Sequence, residues 1–328
     1  MQRAEPKIKS TAIAGALAAL LLAAAPAAAQ TYPTADIHLI CGYPAGSGAD
    51  IIVRYYAEKL RPLAGRTVLV DNRTGALGNI ATEYVARAKG DGYTIYVHAA
   101  TALAANMHLF KNPPVDVATA IQVAGTINRQ AFMLAVDSAR PWKTLAELTA
   151  AMKEKGDKAS YATYAATATI MGELYKRATG VRATEVGYRV SADTLNDLSS
   201  GALDYGIYDP PFAMSQARNG KLRLLAVGVK ERLNAAPDIP TMQEEGIPDV
   251  DLPGWFAAMV PSATPKPVVD QISKWVDEAV RQDATRQFLN GFGSDPWISS
   301  PEQGHARLIS DIKDWGEYVR MAKIVPQG

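Results

Sequence analysis

The chain has 328 residues, with 34 Lys and Arg against 33 Asp and Glu, four His and one Cys. That length is enough for two α/β domains with a large buried core, and 48% hydrophobic with 20% charged residues is ordinary globular composition. Near-zero net charge argues against a dedicated nucleic-acid binder, and a single Cys excludes an intrachain disulfide framework and any multi-Cys zinc site.

The first segment reads as an export signal. Arg3, Lys7 and Lys9 are followed by an apolar Ala/Leu run from Thr11 to Ala25, broken by Pro26, and Ala27 and Ala29 make a small-x-small cleavage pattern. The run is shorter than the roughly 20 residues that span a bilayer. Residues 1–29 are therefore expected to be removed, with the mature start at Gln30. The mature chain carries 31 basic and 32 acidic residues, and it is expected to be exported and soluble.

Beyond Gln30 the pattern alternates strand and helix. Ile37 to Cys41 reads as a buried strand, ending in a loop with Gly42, Gly46 and Gly48; Asp50 opens an amphipathic helix through Leu60. Thr67–Asp71 is a second strand, Ala81–Ala88 a second helix and Tyr93–Val97 a third strand. This βαβαβ order predicts a parallel sheet with helices on its faces. The pattern restarts with a strand at Phe132–Val136, a helix at Leu145–Glu154, a strand at Ala159–Thr163 and a helix at Ile170–Ala178. Further strands fall at Leu203–Ile207, Leu222–Val229 and Trp255–Val260, and helices at Val268–Arg281 and Pro301–Ala322. Two α/β units of this kind imply a cleft between domains, where small ligands usually sit.

The loop from Gly42 to Asp50 carries the most information. Glycines at the carboxyl end of a first strand let backbone N–H groups face a ligand, and the next helix presents its positive N-terminus there, so an anion is the natural occupant. A plain strand–helix turn is the alternative. No Gly-Lys-Ser/Thr follows, and the glycine spacing misses the dinucleotide pattern. Ser47 is flanked by Ala45 and Ala49 where a nucleophile elbow needs glycines. No pair of histidines has zinc-site spacing among His38, His98, His108 and His305; only His98 could face the cleft, and a structural role is the favoured reading for each, since no partner carboxylate is placed by the sequence. Cys41 reads as a small buried hydrophobe. Catalysis has little support, and no catalytic residue, metal or cofactor is expected.

The stretch Val70 to Ile80, followed by Gly90-Asp91-Gly92-Tyr93-Thr94, resembles the Bug family of periplasmic receptors of tripartite tricarboxylate transporters. So do Leu225-Ala226-Val227 with Arg232, Pro237 to Thr241 with Glu244-Glu245-Gly246, and Trp255 before Pro261. The ordered set covers residues 31–328. The resemblance implies a type II periplasmic binding protein fold, an α/β architecture of two domains with a ligand cleft and two crossing segments, closing by hinge motion. Crossings near Ile127–Ala131 and Gly254–Ala258 give domain I as 30–128 plus 256–328 and domain II as 129–255.

The resemblance also implies a carboxylate held largely by backbone amides of one loop from each domain. In domain I the expected contacts are Tyr43, Ala45, Gly46, Ser47, Gly48 and Asp50, joined by Ala100 and Thr101. In domain II they are Tyr164, Ala166, Thr167 and Thr169, with Tyr188. The chain departs from the family where Tyr43-Pro44-Ala45-Gly46-Ser47 replaces a Phe-x-Pro-Gly-Gly pattern. It departs again where Ala and Thr replace Gly and Ser between Thr163 and Thr169, and where Val190 and Asp193 replace small and Pro residues. The three tyrosines could wall the cleft or pack as ordinary core. Arg189 could hold a distal carboxylate or be an ordinary surface residue. Asp209 could accept from the ligand or start the turn before Pro210-Pro211.

The expected function is capture of a small organic carboxylate, best a dicarboxylate, aromatic or medium-chain aliphatic, and its delivery to a tripartite tricarboxylate-type transporter in the membrane. A periplasmic, monomeric protein that binds no nucleic acid follows. A sensory receptor and an exported hydrolase are the alternatives.

Overall fold

The structure, a computed structural model, describes residues 32–328 apart from residue 249. The export-signal reading falls outside the described residues. The first half runs β1 (Ile37–Cys41), α1 (Gly48–Ala64), β2 (Val68–Asn72), α2 (Asn79–Ala86), β3 (Thr94–Ala99), α3 (Ala100–Leu109), α4 (Val117–Ala120) and β4 (Ile121–Ala131). Next come β5 (Met133–Asp137), α5 (Leu145–Lys155), β6 (Ser160–Thr163), α6 (Ala166–Thr179), β7 (Thr184–Gly187), α7 (Thr194–Ser200), β8 (Tyr205–Tyr208), α8 (Pro210–Arg218) and β9 (Leu222–Val227). The chain ends with β10 (Pro253–Pro261), α9 (Lys266–Arg281), α10 (Asp283–Gly291), β11 (Ser294–Pro296) and α11 (Pro301–Met321).

Two sheets result, in the orders β11-β4-β10-β3-β1-β2 and β7-β6-β8-β5-β9. The expected parallel βαβαβ unit is present as β2-β1-β3. The sheet around it is mixed, because β10 runs antiparallel between β3 and β4, and β11 runs antiparallel to β4. Alternation along the strands sends side chains to opposite faces. Leu39, Val97 and Ala258 meet α1 and α9 through Ile52, Tyr56, Ile272 and Val276. Ile40, Tyr96 and Ala257 meet α2, α3 and α11 through Val85, Leu103 and Leu308. In the second sheet Tyr161 and Ile207 face α5 and α6, while Ala162 and Tyr208 face α7 and α8.

Both passages between the sheets lie side by side. β4 runs through Phe132 into β5, and β10 enters the first sheet with Pro253 opposite Ala131 and Gly254 opposite Gln130. The return from β9 is pinned by local clasps: Arg232 donates to both oxygens of Glu244 and to the Pro237 carbonyl, and Glu244 accepts from the Thr241 N–H. Those matched motif residues therefore shape the linker. Asp295 of β11 accepts from the backbone N–H groups of Asn234 and Ala235 at 2.9 and 2.8 Å, tying the linker to the first sheet.

Trp255 of β10 is the central anchor. It is 1% exposed; its backbone N–H donates to Thr101 Oγ1 at 3.0 Å and its indole N–H to Asp311 Oδ2 at 2.6 Å. Arg307 holds the other Asp311 oxygen at 2.7 Å. Burial pushes the Asp311 carboxyl up to about 6, with Arg307 and the indole opposing that rise. The native state therefore binds this proton more tightly than the unfolded chain, and stability is lost as pH rises from about 4 through 6. Relative to Asp311→Asn, the wild type should lose roughly 2 kcal/mol between pH 4.5 and 7 in urea unfolding. A wild type that gains on the variant over that range would refute this reading.

Candidate functional site

The loop after β1 is held by one carboxylate. Ser47 caps α1 by accepting from the Asp50 N–H at 3.2 Å, while Asp50 accepts from the Gly46 N–H, Arg54 Nε and Asn72 Nδ2, each at 2.8 Å. Asn72 also donates to the Tyr43 carbonyl at 3.0 Å. Burial would raise the Asp50 carboxyl, but these donors prevail and hold it below the ordinary range. Asp50 is 1% exposed, so it fixes the shape of the loop rather than meeting a ligand. The Gly46 N–H is likewise turned inward, and at φ 81° its backbone suits glycine. The amides of Gly48 and Ala49 open α1 and, as first-turn donors, have no acceptor within the helix.

Beneath this loop lies His98, which is 1% exposed. Its ring stacks under Tyr43, with centroids 4.2 Å apart, and its Nδ1–H donates to the Ala99 carbonyl at 3.1 Å. A β-carbon on Gly42 or Gly78 would come within 2.6 or 2.8 Å of Nε2, so only glycine fits at either position. Burial pushes the imidazole down to about 4 and keeps it neutral. His98 takes the structural role that the sequence favoured, as a buried wedge beneath the first loop, and not the alternative of facing the cleft. At the neighbouring strand end, Ala99 precedes α3 without a side-chain cap, which leaves the first amides of α3, at Ala100 and Thr101, as uncapped donors. The Thr101 hydroxyl already accepts from Trp255.

The opposing sheet supplies a matching set. Ala165 precedes α6 with no side-chain cap, so the amides of Ala166 and Thr167 are first-turn donors as well. The Thr169 amide is engaged inside α6, and its hydroxyl donates to Glu185 at 2.5 Å alongside that of Thr163. Tyr164 packs on Phe132 of the crossing at 6.2 Å and donates its hydroxyl to Asp209, whose N–H donates back at 2.9 Å. The other Asp209 oxygen caps α8 through the Phe212 N–H at 3.1 Å. Burial raises the Asp209 carboxyl. Each of its oxygens accepts one hydrogen bond, which is the turn-and-cap role, one of the two alternatives the sequence left open. Tyr188 donates to Asp197, and burial raises its hydroxyl to about 12. Arg189 is exposed and, among the described residues, forms no ion pair.

The first loop approaches the second sheet's helices: a β-carbon on Gly48 would touch Pro211 of α8 at 3.9 Å, next to the Asp209 that binds Tyr164. Sequence reasoning missed Arg54 and Asn72, which hold the first loop, and Glu185, which gathers two threonines. Their roles depend on partners 4 to 22 residues away; only the i, i+4 spacing of Asp50 and Arg54 was a readable signal. A separate cavity of about 450 Å³ lies between Arg129, Lys230, Asn234, Asp295 and Trp297 and shares no lining residue with these loops.

The sequence model for tripartite tricarboxylate transporter family receptors matches residues 52–323. Protein BugT of Bordetella pertussis is 29% identical over 312 residues, covering 94% of this chain and 96% of BugT. A UPF0065 protein of the same organism is 31% identical over equal shares. Among solved structures, the periplasmic binding protein BugD is 28% identical with a TM-score of 0.76, covering 90% of this chain and 100% of BugD. Rpa4515 of R. palustris, solved with adipate, is 28% identical with a TM-score of 0.79 over the same shares. The chain belongs to the tripartite tricarboxylate transporter receptor family, the solute-binding proteins of the TctC and Bug type.

Proposed function

We propose that this chain is an exported, periplasmic receptor that closes on a small dicarboxylate and delivers it to a membrane transporter of the tripartite tricarboxylate type. The observation that carries the reading is a set of helix N-termini with free first-turn amides after these loops: α1, which Ser47 caps only at the Asp50 amide, and the uncapped α3 and α6. Such ends carry partial positive charge and oriented N–H donors, which suit a carboxylate without an obligatory cation. The adipate of Rpa4515 supports a medium-chain aliphatic diacid.

In this reading domain I comprises 30–128 plus 256–328, domain II comprises 129–255, and the paired β4 and β10 act as the hinge. One carboxylate lies among the amides of Gly48, Ala49 and Ala100–Thr101. The other lies at Ala166–Thr167, with Arg189 as the free cation at its rim. Tyr43 and Tyr164 pack on the carbon chain through their rings. The receptor acts as a monomer and the ligand leaves chemically unchanged.

Thermal unfolding of residues 30–328, after unfolding and refolding to strip retained ligand, tests this against mono-, di- and tricarboxylates. Adipate at 100 times its dissociation constant should add about 2.7 kcal/mol, and hexanoate at equal concentration markedly less. A flat response to every carboxylate would end the reading.

The distal contact makes its own prediction. Arg189→Ala should weaken adipate by roughly 10- to 100-fold, in line with about 1.5–3 kcal/mol for a charge-assisted hydrogen bond, and leave hexanoate unchanged by calorimetry. Equal loss for both acids would assign Arg189 a general role rather than the distal carboxylate.

A further inference from the structure

We propose that the face formed by Leu77, Ile80 and Tyr84, with Arg73 beside it, is the surface by which this receptor docks on its membrane transporter. The partner segment it fits carries a carboxylate among apolar side chains. This rests on the transport reading above and names the contact that reading requires.

The turn between Gly75 and Gly78 holds two successive non-glycine residues in the left-handed region, Ala76 at φ 47° and Leu77 at φ 53°. That conformation is unfavourable for L-residues, and here it leaves Leu77 57% exposed. α2 continues the patch. Ile80 and Tyr84, four residues apart and so on one helix face, are 51% and 40% exposed, while Ala81 and Val85 fill the core on the other face. Three large apolar side chains thus stand together in water, as at an interaction site.

The charge beside them is unmatched. Arg87 pairs with Glu83 at 2.7 Å. Arg73 instead lies over the Tyr84 ring, 3.5 Å from its centroid, and its Nε–H is buried without an acceptor. Among the described residues, neither Arg73 nor Lys89 along the same groove forms an ion pair. A guanidinium already stacked on an aromatic ring is held in one orientation, and with Nε buried its terminal N–H groups are the ones presented to a carboxylate.

The patch is also continuous with the ligand site. Gly78, at the end of the turn, and Gly42, at the start of the first loop, pack against the same Nε2 edge of His98, and Tyr43 stacks on that ring. A partner seated on Leu77 and Ile80 therefore touches a turn that shares its support with the cleft floor.

The test uses the bacterium that makes the protein, its own copy deleted and the full chain restored, with labelled adipate as probe. Ile80→Asp combined with Arg73→Glu should cut receptor-dependent uptake at least tenfold, while the purified mature variant keeps the adipate-induced thermal shift. Ile309→Asp on α11, at a position 42% exposed, should leave uptake intact. Uptake by the double variant equal to wild type overturns the proposal. Should the double variant lose its thermal shift, Arg73→Glu alone is read in its place. If the wild type shows no shift with adipate, the ligand assignment has failed instead. Docking is then read by a benzophenone side chain at position 84 in native membranes. A cross-link to a transporter subunit that Arg73→Glu abolishes supports the proposal; a dimer of this chain, a lipid adduct or no product overturns it.

Discussion

The antiparallel pairing of β4 with β10 is the constraint on which the rest depends. It carries both chain passages between the two sheets in one ladder, from Ile121 opposite Pro261 to Ala131 opposite Pro253. Two passages side by side restrict relative motion far more than one would, since bending must be shared by adjacent, hydrogen-bonded strands. The ladder is irregular, shifting register between Phe256 and Ala257 and again between Ala258 and Met259. Such bulges bend a strand and increase its twist. The same strand carries Trp255, whose backbone and indole N–H groups reach α3 and α11, so the start of α3 at the cleft is braced by the crossing itself.

Around these loops, four carboxylates are matched by local donors. Asp50 has Arg54, Asn72 and the Gly46 amide; Asp209 has the Tyr164 hydroxyl and the Phe212 amide; Asp197 has Tyr188; Glu185 has Thr163 and Thr169. An anionic ligand would otherwise meet like charge on both walls. Asp50 is buried and lowered by its donors, whereas burial raises Asp209 toward its neutral form. Both routes reduce repulsion, the first by neutralising partners and the second by favouring protonation. The first-turn amides of α1, α3 and α6 then remain as a local positive field.

How much of this was legible in the sequence depended on whether partners were close along the chain. β1, its glycine loop and α1 were legible, because an apolar run, glycine punctuation and apolar residues at helical spacing are local signals, although the Ser47 cap starts α1 at Gly48 and not at Asp50. β4 was not read as a strand. Its Thr126 and Asn128 are fully buried, satisfied by Trp297 and Ser294 more than 160 residues away, and polar residues at core positions erase the alternation. α3 was expected only as a helix carrying His108, without bounds, because Ala100 to Leu109 is apolar nearly all round, which is how a buried helix looks. At the site, the loop backbones could be placed, but the assignments of Asp50 and Asp209 could not. Whether a carboxylate faces a ligand or a neighbour is decided by donors such as Asn72 and Tyr164, brought in by the fold.

Gly42 of the first loop and Gly78 of the matched Val70–Ile80 stretch acquire a common physical cause in His98. Gly42 follows β1 and Gly78 precedes α2, and neither can carry a side chain because the neutral imidazole edge fills the space beside both. Tyr43 then closes over the ring. Three segments separated by up to 56 positions thereby share one support. Packed interiors shift between discrete arrangements rather than deforming smoothly. A displacement of the Gly75–Gly78 turn therefore reaches the first wall of the cleft through the His98 ring, with no intervening flexible side chain to absorb it.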